Sequence, residues 1–282
     1  MRLASFYIGE HFGFGAVKDD GVIGLTGRLS GRQQTLREVL EANALGEARA
    51  AIEGVEPDYP VDKIRFALPI PDPEKIYCVG QNYRAHIDEM GYEVPEYPSI
   101  FSRYPRTFVP HGGQMEMPTG STDFDYEGEM TVVIGRPARN VSEAEALDYV
   151  AGYTIANDGS VRDWQKRGPQ VAPGKNWERS GMLGPWITTA DEAGNPANMT
   201  LTTRINGEVR QQGSTADLVF SAAHLVSYIS SFITLAPGDM ITTGSPSGVA
   251  VGFDPPKWLV PGDKVEIEIN TLGTLAAEVA TS

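Results

Sequence analysis

The chain has 282 residues, 41% hydrophobic and 21% charged, with a formal net charge of −14 and a pI of about 4.7. That balance argues against nucleic acid or an anionic membrane as the main partner. It leaves room for a small anionic substrate, because a bound metal and local Lys or Arg can invert the field. The 31 glycines and 20 prolines predict a turn-rich, β-dominated chain.

Residues 1–70 form one compositional unit, expected as a small accessory domain. Short strands come first, with a turn at Asp19-Asp20-Gly21. Gly13-Phe14-Gly15 opens no convincing helix, so a dinucleotide-binding fingerprint is not expected. Thr35-Leu36-Arg37-Glu38 has the form of a capping box and predicts a helix running to about Ala51. Pro60 and Pro69-Ile70-Pro71-Asp72-Pro73 read as the link to the main domain, residues 71–282.

From Lys75 onward strands alternate with turns. The lone cysteine, Cys78, lies in the apolar stretch Lys75-Ile76-Tyr77-Cys78-Val79 and is expected to be a buried small side chain. Ser142-Glu143-Ala144-Glu145 is a second capping box, predicting a short helix to about Val150. Ser221 to Thr234 carries Ala222, Leu225, Val226, Ile229, Phe232 and Ile233 at helical spacing, with His224 packing beside that stripe. Pro237-Gly238-Asp239 and Pro261-Gly262-Asp263 each feed a strand. The second alternates Val265, Ile267 and Ile269 with Lys264, Glu266 and Glu268. No apolar run reaches the ~18–20 residues of a transmembrane helix or the length of a signal peptide, so a cytoplasmic protein is expected.

Three acids stand out. Glu127 and Glu129, in Asp125-Tyr126-Glu127-Gly128-Glu129, precede the strand-like run Met130-Thr131-Val132-Val133-Ile134. Two residues apart on a strand, they share a face at ~7 Å along it. Asp158 ends a second apolar segment, Val150 to Asn157. Three converging carboxylates with no obvious basic partner suit a hard divalent cation. The same spacing also suits two solvated glutamates on an edge strand.

Other candidates flank these acids. In Arg84-Ala85-His86-Ile87-Asp88-Glu89, a helix would place His86 and Glu89 on one face. There the carboxylate would fix the imidazole tautomer and raise its basicity; the alternative is an exposed face meeting solvent. Asp158, Arg162 and Gln165 fall at i, i+4 and i+7, one helical face, able to bind a carboxylate and orient a carbonyl; the alternative is an Asp158 N-cap with Arg162 paired to a nearby acid. Lys175 sits on a loop beside Trp177, where an ammonium would stabilise an enolate or oxyanion; the alternative is a solvated surface lysine. Thr242-Thr243-Gly244-Ser245-Pro246-Ser247-Gly248 is a hydroxyl-rich turn offering donors to an anion.

Taken in order, these pieces resemble the fumarylacetoacetate hydrolase superfamily. The matching segments are Lys75 to Tyr83, His86 and Glu89, Tyr126-Glu127-Gly128-Glu129, Val150-Ala151-Gly152-Tyr153, and Asn157-Asp158 with Arg162-Asp163. They continue through Gly174-Lys175, Leu183-Gly184-Pro185-Trp186, Asn206-Gly207-Glu208 and Gly238 to Gly244. The resemblance covers about residues 71–278. It implies an α+β, predominantly β fold: a mixed β-sandwich roll with a small N-terminal α/β accessory domain, commonly a homodimer.

The resemblance also implies Mg²⁺ or Mn²⁺, or Ca²⁺, held by Glu127, Glu129 and Asp158. His86 and Glu89 match a water-activating dyad on a lid, and Lys175 the lysine that stabilises an enolate. Arg162, Gln165, Thr243 and Ser245 match substrate-contacting positions. Ser245 stands where the family usually has threonine, and Trp177-Glu178 where many members have Phe and Asp, which reshapes the pocket wall. The implied substrates are small anionic 2-oxo or β-diketo acids. The leading expectation is hydrolysis of a C–C bond through a metal-bound enolate. The alternative is a decarboxylase, isomerase or hydratase on a 2-oxo dicarboxylic acid, as in aromatic catabolism.

Overall fold

The strand Gly128–Ile134 is the axis about which the fold is built. It is buried along its whole length. In the computed structural model, which describes residues 1–281, it pairs antiparallel with Val150–Asn157 on one side and with Met240–Thr242 on the other. Gly181–Thr189 lies beyond the first neighbour, and Ile76–Gly80 then Ser99–Arg103 beyond the second. A strand with packed layers on both faces needs an apolar run rather than simple alternation, and Met130 to Ile134 supplies it.

The two faces feed different cores. Met130, Val132 and Ile134 meet Leu201, Val265, Ile267 and Leu275 of a second, five-stranded sheet, together with Leu225 and Ile229 of the helix Ala222–Phe232. This is the sandwich. The alternation expected at Val265, Ile267 and Ile269 is observed, and all three are fully buried. Each such aliphatic side chain contributes ~1.5–3 kcal/mol when removed from water. On the other face Val133 and Met240 pack with Phe14, Leu36 and Val39.

The first seventy residues are hydrogen-bonded into the large sheet. Arg2–Ile8 pairs antiparallel with Gly181–Thr189 in the register Arg2↔Thr188 and Leu3↔Ile187. Thr35 caps its helix as expected, accepting from the Glu38 amide, but that helix is only Leu36–Glu41. Asn43, at φ 52°, breaks the run, and a second helix follows at Leu45–Ile52. The capping box at Ser142 yields a single 3₁₀ turn, Ala146–Tyr149. There the Ser142 hydroxyl donates to the Glu145 carboxylate rather than accepting from backbone, so no helix is nucleated. Among the described residues no helix is long and apolar enough to cross a membrane.

Candidate active site and metal centre

Sheet register brings the acids together. Gly128 pairs with Asn157, which sets Glu127 opposite Asp158 at the strand ends. The Asp158 amide donates to the Glu127 carbonyl at 2.8 Å, and the Glu127 amide donates to Asn157 Oδ1 at 2.8 Å. On the other flank Thr131 pairs with Thr242, so Gly244 falls beside Glu129 and donates its amide to Glu129 Oε2 at 2.8 Å. Gly244 is at φ +99°, and a Cβ there would lie 2.8 Å from Asn82 Cβ, so this amide reaches Glu129 only because the residue is glycine. Glu127, Glu129 and Asp158 are all buried, each offering one oxygen within 4.8 Å of the others.

The expectation that these acids lack basic partners is corrected by three buried cations. Lys175 Nζ donates to Glu127 Oε2 at 2.5 Å and Asp158 Oδ2 at 2.6 Å. Arg162 donates to Glu127 Oε1 at 2.6 Å and to Asp125 Oδ2 at 2.8 Å. Arg103 donates to Asp158 Oδ1 at 2.7 Å. Neither Arg103 nor Asp125 is identified from sequence. Asp125 was within reach, since it extends the two-residue period of Glu127 and Glu129. Arg103 carried no local signal: it lies 55 residues before Asp158.

Arg162 and Gln165 lie on the one-turn helix Arg162–Gln165, but Asp158 does not, because the short strand Ser160–Val161 intervenes. The expected single helical face from Asp158 to Gln165 is therefore absent. Lys175 ends a second one-turn helix, Ala172–Lys175, packed on the first. A Cβ on Gly174 would fall 2.6 Å from the Gln165 backbone nitrogen, so glycine permits the approach that aims Lys175 inward.

Four buried carboxyl groups thus face three buried cations, so the site would be net negative with every acid ionised. Burial opposes ionisation of Glu127, yet Lys175 and Arg162 outweigh it and hold the carboxyl far below the usual range. Glu129 forms no ion pair among the described residues. Burial, then the charges of Asp158 and Glu127, push it well above that range. A buried carboxylate short of positive charge, in an all-oxygen donor set, fits a hard dication. Bound there, a dication would turn the site net positive, as an anionic substrate requires.

The cavity above this cup is about 180 Å³ and is lined by His86, Phe101, Arg162, Gln165, Lys175 and Ser245, among others. His86 and Glu89 share the helix Arg84–Glu89 as expected, with Nδ1 2.9 Å from Glu89 Oε2. The other Glu89 oxygen accepts the Gly248 amide at 2.8 Å, which ties this helix to the turn after Ser245. Ser245 Oγ accepts from Gln211 Nε2 at 2.7 Å. Thr243 is not brought to the cavity: it is fully buried and its hydroxyl donates to the Met130 carbonyl.

A family model described as "Fumarylacetoacetate (FAA) hydrolase C-terminal" matches residues 75–280. The chain belongs to the fumarylacetoacetate hydrolase family. It is 37% identical over 287 residues to the human mitochondrial oxaloacetate tautomerase FAHD2A, covering 99% of this chain and 91% of that one. It is 42% identical over 225 residues to the oxaloacetate tautomerase YisK of Bacillus subtilis, covering 78% and 75%. Among solved structures, the maleylpyruvate hydrolase of Sphingobium sp. SYK-6, in complex with manganese(II) and pyruvate, superposes with a TM-score of 0.83 at 27% identity, each chain covered in full. The mixed-sheet α+β fold expected from the family resemblance is the one observed.

Proposed function

We propose that this enzyme interconverts the keto and enol forms of a 2-oxo dicarboxylic acid of the oxaloacetate type, with a divalent cation held by Glu127, Glu129 and Asp158. The observation that carries this reading is the His86–Glu89 pair at the wall of a cavity whose floor is the acidic cup. The bound cation would supply Lewis acidity to the oxo group. The protein's own residues then have separable tasks. Glu89 accepts from Nδ1 of His86, which keeps that nitrogen protonated and leaves Nε2 as the base that takes and returns the substrate's C3 proton. Lys175 sets a fixed positive charge beside Glu127 and Asp158, where negative charge on the enolate oxygen is offset. Arg162, clamped by Asp125 and Glu127, holds Gln165 through a 3.0 Å hydrogen bond to Oε1. The Gln165 amide N–H₂ is thereby turned away from Arg162 and free to donate.

Two relatives named as oxaloacetate tautomerases, at 37% and 42% identity, support tautomerisation over cleavage. C–C hydrolysis is the second reading. The same His86–Glu89 pair favours it, since an imidazole that moves a carbon-bound proton also deprotonates water. Spectrophotometric decay of the oxaloacetate enol, with and without the protein in Mg²⁺ or Mn²⁺, tests the proposal. Acceleration abolished by chelator supports it. Cleavage of a diketo acid with no effect on the enol sinks it in favour of hydrolysis.

A further inference from the structure

The cavity has two buried cations, and both are committed to acids. Lys175 bridges Glu127 and Asp158, and Arg162 bridges Asp125 and Glu127. A third cation lines the same cavity: Lys166, the C-cap residue of the helix Arg162–Gln165. Lys166 is exposed at the rim and forms no ion pair among the described residues. Its neighbour Arg167 is spent elsewhere, 3.6 Å from the Trp164 ring centroid and paired with Asp163. Among the described residues the acids lining the cavity are Glu127 and Glu129, both on its floor. The rim is therefore positive at one point and the floor is where an oxo acid head belongs.

We propose that Lys166 forms a subsite for the distal carboxylate of a 2-oxo dicarboxylate, so that the enzyme discriminates diacids from 2-oxo monoacids. This rests on the reading above only for the placing of the 2-oxo head at the cup. With the 2-oxo head held at the floor, a second carboxylate at the far end of a short carbon chain extends toward the rim, where Lys166 lies. The lysine stem is flexible and its ammonium is a point charge, so it follows the carboxylate without demanding one geometry. At a wet rim the gain is modest, on the order of fivefold in affinity, and salt screens it. A monoacid gains nothing from the same contact, so the effect is selectivity rather than general affinity.

Calorimetric titration of the Mg²⁺-loaded protein with oxaloacetate and with pyruvate tests this, using wild type, Lys166→Met and Lys166→Arg. Lys166→Met is expected to weaken oxaloacetate about fivefold and leave pyruvate unchanged, and Lys166→Arg to restore the difference. In turnover the same variant raises KM for the diacid with kcat preserved. Equal weakening of both ligands, or none for oxaloacetate, overturns the subsite. Selective binding by a wild type that does not speed enol decay overturns the assigned reaction and leaves the subsite standing. Enol decay with an unchanged KM in Lys166→Met does the reverse.

Discussion

The Lys175 ammonium lies 2.6 Å from Asp158 Oδ2, with both side chains almost wholly out of solvent. It also reaches Glu127, so one fixed cation sits between two of the three proposed metal ligands. Removing it leaves buried carboxylates without compensation, which costs ~3–5 kcal/mol. Lys175→Met is therefore expected to melt well below wild type in chelator and to recover most of that loss in Mg²⁺. Turnover should fall by ~10²–10³-fold and stay low with metal present. Thermal melts in both conditions, beside kcat, separate the two roles.

Glu129 behaves in the opposite sense. It is the acid with no cationic partner, in a site with one carboxylate in excess. Glu129→Gln keeps the shape and removes the acid that must otherwise hold a proton or carry the excess charge. The variant is expected to be at least as stable as wild type in chelator, yet to lose at least ~100-fold in metal affinity, more than a typical outer-shell change costs. Melting curves across a Mg²⁺ or Mn²⁺ titration would show the two proteins exchanging order as metal is added.

Arg103 reaches Asp158 at 2.7 Å, Ser180 Oγ at 2.8 Å and the Thr107 carbonyl at 3.2 Å, with its side chain fully buried. Arg103→Met strips Asp158 of one partner and orphans these acceptors. A loss of ~3–5 kcal/mol in urea unfolding is expected. Arg106→Ala, which breaks only an exposed pair with Glu178, should change stability by less than ~1 kcal/mol.

His111 gives a pH dependence of known sign. Burial lowers its pKa in the folded state, where its ring packs edge-on against Phe66 and Nδ1 accepts the Ala276 amide at 3.2 Å. Below the ordinary histidine value of ~6.5 the unfolded chain binds a proton that the folded chain resists. Its contribution to stability is therefore intact above that pH and is lost as pH falls through the folded value. His111→Gln keeps an acceptor but cannot titrate. Its stability should decline less steeply than wild type between about pH 7 and pH 5 in urea unfolding at each pH.

Much of this site was legible because it rests on local patterns. The strand at Met130 to Ile134, the helix over His86 and Glu89, and the twin Pro-Gly-Asp turns each follow from short-range periodicity or turn chemistry. The three acids share a strand face or a strand end, which spacing also reveals. The charge balance was not legible. Lys175 is named from sequence, but not its pairing with Glu127 and Asp158, and Arg103 comes from a segment whose burial depends on packing between distant parts of the chain, so no window of sequence shows that it points inward. The helices after Thr35 and Ser142 were overestimated for a related reason: a capping signal marks a start, while length is set by what the helix packs against.

Deuterium exchange tests the central claim most directly. In D₂O with Mg²⁺ or Mn²⁺, the protein is expected to speed incorporation of deuterium at C3 of oxaloacetate while the carbon skeleton stays intact by mass. Chelator, or His86→Ala, should slow that exchange. Products of C–C cleavage or CO₂ release without accelerated exchange would contradict the account.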